Sequence, residues 1–215
     1  MPEHDLLLAS PCCQGHSKAR GKHNGNPQYD NSRATAWAVV SALECHRQTK
    51  VAIVENVPEF LEWSLFPAWE MALNKCGFQV SPHIVDCADL GVPQNRVRLF
   101  IVCTRSKHPL KLVLPRFDHN SALSFIDINS GRWSPVNKPK RASKTLERIA
   151  NGRKQFSDLF VFSYYGNTLS GRDIQRPIGT ITTRDRWAVV KGDMMRMLTA
   201  DENLRAMSFP DSILR

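Results

Sequence analysis

The sequence predicts an α/β fold with a mostly parallel sheet and a second, smaller region. Short apolar runs alternate with amphipathic stretches through the first half of the chain, which is typical of strand–helix–strand units. The length of 215 residues is sufficient for one α/β domain and a smaller lobe. With 42% hydrophobic and 23% charged residues, the composition indicates an ordinary globular protein.

Four apolar runs in the first half have the length of strands. They are residues 6–9, 51–57, 78–85 and 99–103. Apolar side chains at helical spacing predict helices over residues 35–47 and 60–75, the second interrupted near Pro67. Residues 15–33 are rich in Gly, Asn, Lys and Arg, which indicates a mobile loop.

The second half of the chain has a different character, because basic and proline-containing stretches dominate residues 106–190. A basic helix is predicted over residues 143–154, with Ser143 as its cap. Three strands are predicted at residues 160–165, 178–183 and 187–190. A final helix is predicted over residues 199–207, where Thr199 and Glu202 have the spacing of a capping box.

Charge and cysteine content narrow the class of protein. The formal net charge is +9, which favours a polyanionic partner such as nucleic acid because basic side chains neutralise phosphates. The six cysteines form no CxxC pair and no compact Cys/His cluster, so no metal site is predicted. The chain shows no signal peptide and no apolar run of transmembrane length, which predicts a cytoplasmic protein with free thiols.

Reactive side chains stand near the ends of the predicted strands. Cys13 lies on a tight turn just after the first strand. The apolar sequence of that strand predicts that it is buried. Glu55 lies on the second strand, and Arg96 and Arg98 lead into the fourth. Open α/β sheets bind ligands outside the carboxyl ends of their strands. A thiol, a carboxyl group and two arginines in such places predict covalent chemistry on a nucleobase.

Each of these side chains also has a simpler interpretation. A cysteine on its own is most often a structural thiol, which is the alternative for Cys13. Glu55 is also consistent with an exposed carboxylate at a strand end, and Arg96 with a member of a surface ion pair. The order of the surrounding motifs decides between the two interpretations.

Four motifs follow one another along the chain. The first is Pro-Cys-Cys-Gln-Gly-His-Ser at residues 11–17, the second is Glu-Asn-Val at 55–57, and the third is Gln-Asn-Arg-Val-Arg at 94–98. The fourth begins with Arg-Met-Leu-Thr at 196–199 and ends with Phe-Pro at 209–210. In their order and spacing the chain resembles the DNA (cytosine-5)-methyltransferases, particularly the bacterial and phage members.

The chain departs from the family pattern at single residues and at both ends. Cys12 stands where the family has a second proline, His16 where it has Phe, and Ser208 where it has Gly. The chain begins twelve residues before Cys13 and ends at Arg215. The family's Gly-rich cofactor turn, its acidic ribose-binding residues and its last motif are therefore expected to lie outside this sequence.

The resemblance implies a partial Rossmann-like, S-adenosylmethionine-dependent methyltransferase domain with a small target-recognition region. It assigns residues 1–105 to the catalytic domain, 106–190 to target recognition, and 191–215 to a return to the catalytic domain. The implied activity is methylation of DNA at cytosine C5, as in restriction–modification systems.

The resemblance also implies roles for single residues. Cys13, rather than Cys12, would add to cytosine C6, and Glu55 would bond to N3 and the exocyclic amine. Arg98 would hold the O2 atom of the base, and Arg96 would support the site or a phosphate. The implied contacts of S-adenosylmethionine within this chain are Pro11 and Cys12.

Double-stranded DNA is the implied macromolecular partner. Because a duplex hides C5 and C6 within its base stack, the target cytosine must be flipped into a pocket. The basic loop after Cys13 is a candidate lid over the DNA, and the region before residue 190 is expected to read the target sequence. The residues expected to contact DNA are Gln14, Ser17, Lys18, Arg20, Thr180 and Arg184.

Three hypotheses remain open from sequence alone. The chain is an active methyltransferase, or it is a DNA-binding remnant or subunit that is not catalytic alone, or it is an unrelated basic α/β protein. The retained Cys13, Glu55 and Arg98 favour the first hypothesis. The expected lack of the cofactor turn favours the second, in which a second polypeptide supplies the N-terminal cofactor half.

Overall fold

The computed structural model describes residues 4–16, 27–110, 112–165, 168–184 and 186–213. Its backbone contacts divide the chain into two compact units. The first unit comprises Met1–Asp86 and Val97–Leu114, and the second comprises Cys87–Arg96 and Pro115–Arg215. The division at residues 1–105, 106–190 and 191–215 concerns functional roles and stays a prediction.

A four-stranded sheet forms the centre of the first unit. Its strands are β1 (Leu6–Ala9), β2 (Val51–Asn56), β3 (Gln79–Asp86) and β4 (Val97–Thr104), in the order β1-β2-β4-β3. Only β1 and β2 pair in parallel within this described sheet, because β4 runs antiparallel to both of its neighbours. The expected mostly parallel sheet is corrected in this respect. Residues 87–96, which join β3 to β4, are too few for a parallel crossover, which takes a dozen residues or more.

Helices α2 (Trp37–Cys45) and α3 (Phe66–Lys75) and a short 3-10 helix at Pro58–Glu62 pack against one face of this sheet. Helix α1 (Pro27–Ala34) precedes α2. The apolar core includes Leu43 of α2 and Leu73 of α3, packed in one cluster with Val54 and Ile101 of the sheet. Fully buried Trp69 donates its indole N–H to the Ala36 carbonyl at 2.9 Å, which ties α3 to the start of α2.

Three expectations for this unit need correction. The loop predicted over residues 15–33 contains helix α1, whose polar sequence has no apolar periodicity. Pro67 lies in the first turn of α3, where a missing N–H is tolerated, so the break between helices comes before it. The first strand is not buried on both faces, since Leu6 and Leu8 are 49% and 68% exposed.

The second unit is built on a five-stranded antiparallel sheet. Its strands are β5 (Ser134–Pro135), β6 (Leu159–Ser163), β7 (Arg172–Asp173), β8 (Trp187–Lys191) and β9 (Met194–Met197), in the order β5-β9-β8-β6-β7. Its helices are α4 (Ser143–Phe156) and α5 (Ala200–Ala206). The predicted strands at 160–165 and 187–190 are confirmed as β6 and β8.

Two further predictions for the second unit are wrong. Residues 178–183 form no strand, and Ile178 makes a single bridge to Gln94. The N-cap of α4 is Ala142, with no side-chain hydrogen bond, so Ser143 is not its cap. By contrast, the capping box of α5 is confirmed, with Thr199 as N-cap and Glu202 as its partner. Among the described residues, no helix is long and apolar enough to cross a membrane.

Candidate active site

The turn that carries Cys13 is fixed by backbone hydrogen bonds. The His16 N–H donates to the Cys13 carbonyl at 2.9 Å and closes the turn. The Cys12 N–H donates to the Thr35 hydroxyl at 2.9 Å, and that hydroxyl donates in turn to the Ser32 carbonyl. The turn is thereby attached to the junction of α1 and α2, while the Cys13 side chain itself remains exposed.

Asn56 connects the ends of the first two strands. It is 1% exposed, and its side-chain amide donates to the Pro11 carbonyl at 3.1 Å. Its side-chain oxygen accepts the Val57 N–H at 2.9 Å, which fixes the exit of β2. Because β1 and β2 are parallel, this contact holds the segment before Cys13 beside the end of the strand that carries Glu55.

An ion pair between neighbouring strands stands at this end of the sheet. The Nε atom of Arg98 lies 3.1 Å from Oε1 of Glu55, and the side chains are 17% and 34% exposed. Since β4 starts where the antiparallel β2 ends, a residue early in β4 reaches a carboxylate late in β2. The guanidinium Nη1 also donates to the Val97 carbonyl at 2.8 Å. The pair is well formed and still accessible.

The structure therefore brings all three predicted catalytic residues of the first unit to the same end of the sheet. Cys13 follows β1, Glu55 lies near the end of β2, and Arg98 lies near the start of β4. Arg96 belongs to the second unit, where its carbonyl accepts the Cys87 N–H at 3.1 Å. The catalytic roles of all four residues stay predictions.

Side chains that sequence reasoning missed support this turn. The Ser32 hydroxyl accepts the Gly15 N–H at 3.2 Å and hydrogen-bonds the thiol of Cys12. That hydrogen bond, with a second from the Gln14 backbone, holds the pKa of the Cys12 thiol below its ordinary value. The available signal was the Ser and Thr content just before the helix over residues 35–47, because short hydroxyl side chains often bond nearby backbone.

His16 anchors the turn on its other side. The residue is 7% exposed, and its ring makes edge contacts with Phe60 at 4.8 Å and Trp63 at 5.4 Å between ring centroids. It thus occupies an aromatic environment that suits the Phe of the family pattern. A cavity of about 560 Å³ lies beside it, with Arg33 and Trp37 among its walls.

The residues predicted to contact DNA have varied surroundings. Gln14 and Arg184 are exposed. Ser17, Lys18 and Arg20 lie outside the described residues. Thr180 is engaged within the second unit, because its hydroxyl donates to the Asn95 carbonyl at 2.9 Å and its own carbonyl accepts the Tyr165 hydroxyl at 3.0 Å. Contact of these residues with DNA stays a prediction.

Comparison with known proteins identifies the family. The family model described as "C-5 cytosine-specific DNA methylase" matches residues 1–213, which is nearly the whole chain. The chain belongs to this family. The resemblance inferred from the four motifs is thereby confirmed.

Individual relatives agree with this assignment. The Type II methyltransferase M.HaeII of Haemophilus aegyptius is 27% identical over 221 residues, which cover 99% of this chain and 65% of the relative. The human tRNA (cytosine(38)-C(5))-methyltransferase is 25% identical over 111 residues, which cover 52% of this chain and 28% of the relative. The chain thus spans about two thirds of the length of M.HaeII.

A solved structure confirms the fold class. A prophage-encoded DNA modification methyltransferase of E. coli superimposes with a TM-score of 0.59 at 16% identity, covering 96% of this chain and 69% of the other. At that identity the likeness shows the fold alone. The α/β methyltransferase fold expected from the sequence is therefore correct.

S-adenosylmethionine is the methyl donor implied by the family, and the structure permits a test of the predicted contacts. The Pro11 carbonyl is bonded to Asn56 and the Cys12 amide to Thr35, so these polar atoms are already engaged. What remains at these positions is contact by two half-buried side chains. Contact of Pro11 and Cys12 with the cofactor stays a prediction.

Proposed function

We propose that this chain acts in the transfer of a methyl group to C5 of a cytosine flipped out of double-stranded DNA. The observation that carries the proposal is the accessible Glu55–Arg98 pair at the strand edge that also bears the turn of Cys13. A carboxyl group, a guanidinium and a thiol are the three groups that addition to a cytosine ring requires.

Cysteine addition solves the problem that cytosine C5 is a poor nucleophile. The Cys13 thiolate adds to C6, a carbon–sulfur bond forms, and the ring electrons shift so that C5 becomes enamine-like. When bound, S-adenosylmethionine supplies an electrophilic methyl group to that carbon. Transfer of the C5 proton to water then breaks the carbon–sulfur bond, expels the Cys13 thiolate and restores the aromatic ring, so that the enzyme returns to its starting state.

Glu55 and Arg98 assist the addition from the other side of the ring. A carboxyl group that hydrogen-bonds or protonates N3 withdraws electrons and makes C6 more electrophilic. The second carboxyl oxygen of Glu55 has no hydrogen bond within the described residues, so it is open to such a contact. Arg98 orients the carboxyl group and would neutralise charge that develops at O2.

Net charge supports DNA as the substrate class. The formal charge of +9 gives the chain a net attraction for phosphates. The exposed Gln14 and Arg184, and the predicted contacts Ser17, Lys18 and Arg20, are the proposed DNA-binding residues. Thr180 would act there through the loop that it holds in place.

A methylation assay with matched substrates tests the proposal. The purified protein is incubated with S-adenosylmethionine and a cytosine-containing duplex, and the products are digested and identified by mass spectrometry. We expect 5-methylcytosine in DNA and none in a tRNA substrate. Methylation of tRNA alone would contradict the substrate class, and unmodified DNA despite bound S-adenosylmethionine would contradict the activity.

A second candidate is DNA binding without catalysis by the chain alone. The observation that favours it is that the Pro11 carbonyl and the Cys12 N–H, at the predicted cofactor contacts, are already hydrogen-bonded within the chain. Calorimetry separates the two candidates, since a micromolar dissociation constant for S-adenosylmethionine, roughly −8 kcal/mol, requires a working site. Absence of cofactor binding with DNA binding retained would favour this second candidate. The comparisons give no support to the second polypeptide considered from the sequence.

A further inference from the structure

A buried amide side chain joins distant parts of the second unit. Gln94 is 1% exposed, and both ends of its carboxamide are hydrogen-bonded. Its Nε2 donates to the Ala206 carbonyl in the last turn of α5 at 3.3 Å. Its Oε1 accepts the Ile181 N–H at 3.0 Å. One side chain thus joins three segments that are far apart in sequence.

The backbone around Gln94 binds the same segment. The Asn95 N–H donates to the Ile178 carbonyl at 2.8 Å, and the Ile178 N–H donates to the Pro93 carbonyl at 3.0 Å. The Thr180 hydroxyl adds a bond to the Asn95 carbonyl at 2.9 Å. Residues 178–181 are not part of a regular strand, so these bonds take the place of a sheet ladder in fixing their position.

The Gln94 carboxamide fixes the register of this contact. A shift of residues 178–181 by one position would remove the Ile181 N–H from Oε1 and leave buried polar groups unpaired. Unpaired buried groups are costly, whereas a satisfied buried amide specifies one arrangement. The aligned segment leads directly into exposed Arg184, and Gln94 itself precedes Arg96 by two residues.

We propose that Gln94 is a positioning residue for DNA recognition, setting residues 178–184 in register with the segment that carries Arg96. This inference rests on the proposed function, because the register matters only if Arg184 and Arg96 engage one DNA substrate. Loss of the Gln94 carboxamide would therefore lower kcat/KM for methylation of the duplex. It would change the nonspecific binding of DNA phosphates less.

Two variants of Gln94 give the test a signature that a general loss of stability does not produce. In Gln94→Met both hydrogen bonds are lost at every pH. In Gln94→Glu a protonated carboxyl group reproduces both bonds, since its hydroxyl donates to Ala206 and its carbonyl accepts from Ile181. The ionised form cannot donate and faces a carbonyl oxygen, so burial raises the pKa of the new carboxyl group. Ser163→Ala, which removes a buried hydroxyl bond of β6 in the same unit, is the matched control.

Each variant is compared with the wild type at pH 6 and pH 8.5 for methylation of the duplex. We expect Gln94→Met to lower kcat/KM about tenfold or more at both pH values. The effect should arise from a higher KM for DNA and not from a lower kcat. Gln94→Glu is expected to match the wild type at pH 6 and Gln94→Met at pH 8.5. Ser163→Ala should show no such dependence on pH.

Hydrogen exchange keeps the proposal separate from the proposed function. In the absence of DNA, the Ile181 amide should exchange about tenfold faster in Gln94→Met than in the wild type. If the wild type fails to methylate DNA, the proposed function fails and this exchange experiment alone decides the positioning. Unchanged exchange at Ile181, or wild-type kcat/KM in Gln94→Met, would overturn the inference. If Gln94→Met does not fold, the pH dependence of Gln94→Glu decides. The same kcat/KM relative to the wild type at pH 6 and pH 8.5 would then overturn the inference.

Discussion

A glutamate and an arginine form a close pair in each unit, Glu55 with Arg98 and Glu202 with Arg196, and these two pairs differ in nearly every physical respect. In the first unit, Arg98 meets Glu55 through one contact of 3.1 Å, with the side chains 17% and 34% exposed. In the second unit, Arg196 and Glu202 form two contacts of 2.7 Å and are 1% and 2% exposed.

The buried pair makes further hydrogen bonds to the backbone around it. Glu202 accepts the N–H groups of Thr199 at 2.8 Å and Asp127 at 2.9 Å, and Arg196 donates to the Asp127 and Met197 carbonyls. Burial alone would raise the pKa of Glu202, but the hydrogen bonds from Arg196 and the backbone outweigh it and lower the pKa. This pair ties β9, the start of α5 and the loop at Asp127 together.

The difference separates two uses of the same residue types. The Arg196–Glu202 pair is almost fully buried, and both carboxylate oxygens and both terminal guanidinium nitrogens are already hydrogen-bonded within the chain, so the pair acts on the fold. A pair with one contact and an open carboxyl oxygen is available to a substrate. The following predictions test this assignment, from the largest expected effect to the smallest.

Loss of the thiol beside the accessible pair should abolish the reaction and leave the fold intact. We expect Cys13→Ser to lower methylation by about 10⁵-fold, because a serine hydroxyl is a far weaker nucleophile. Thermal unfolding should be unchanged, since the side chain is exposed. Rates are measured by incorporation of a labelled methyl group.

Cys12→Ser is the matched control for that experiment. Its thiol has a lowered pKa but is half-buried against Ser32, and we expect the variant to retain activity. Loss of activity in Cys12→Ser equal to that in Cys13→Ser would mean that the nucleophile is misassigned.

Removal of one charge from the buried pair should act on stability. We expect Glu202→Gln to lower the free energy of unfolding by about 3–5 kcal/mol, because it leaves the Arg196 guanidinium buried without its counter-charge. Urea unfolding monitored by circular dichroism measures the change. A loss below 1 kcal/mol would contradict the structural role.

The dependence of stability on pH provides a control for this variant. The pKa of Glu202 is lower in the folded protein than its ordinary value of 4.5, so the stabilisation is present above pH 4.5 and is lost as the pH falls through the folded value. The wild type should therefore lose stability in acid more steeply than Glu202→Gln. Parallel curves for the two proteins would contradict the assignment.

Substitution in the accessible pair should act on the reaction and not on the fold. We expect Glu55→Gln to reduce kcat by about 100-fold to 10⁴-fold, as is typical when a general acid is removed. Its free energy of unfolding should change by less than about 1 kcal/mol, as for exposed pairs. Glu44→Gln, an exposed change on α2, serves as the control. Unfolding of Glu55→Gln under conditions where Glu44→Gln is folded would contradict the comparison.

The two predicted helix caps give the smallest effects. Thr199→Ala should cost about 1 kcal/mol, because the Thr199 hydroxyl accepts the Glu202 N–H in the capping box of α5. Ser143→Ala should change the free energy of unfolding by less than about 0.5 kcal/mol, because Ser143 lies inside α4 and makes no cap bond. Equal effects of the two substitutions in thermal unfolding would contradict this assignment.

These caps also illustrate how far the sequence predicts the structure. The capping box was predicted correctly because both of its partners lie within one turn, so the spacing carries the information. The motif order likewise predicted the family and the place of Glu55 near a strand end. Features that depend on residues close together in the sequence were therefore predicted correctly.

The errors arise where distant residues decide the structure. The Ile- and Thr-rich segment at 178–183 has the composition of a strand, but Gln94 bonds Ile181 in place of a neighbouring strand. Helix α1 has no apolar periodicity, and its stability depends on contacts such as that of Ser32 with Gly15. The Asn56 bond to Pro11 joins residues 45 positions apart and has no signal in a single sequence.

Covalent trapping tests the central claim most directly. A duplex with 5-fluorocytosine at the target position blocks the last step, because fluorine at C5 cannot leave as a cation in place of the proton. With S-adenosylmethionine present, we predict a stable protein–DNA adduct that carries one added methyl group and maps to the peptide containing Cys13. A protein that binds this duplex and the cofactor without forming an adduct, or an adduct at Cys12, would contradict the account.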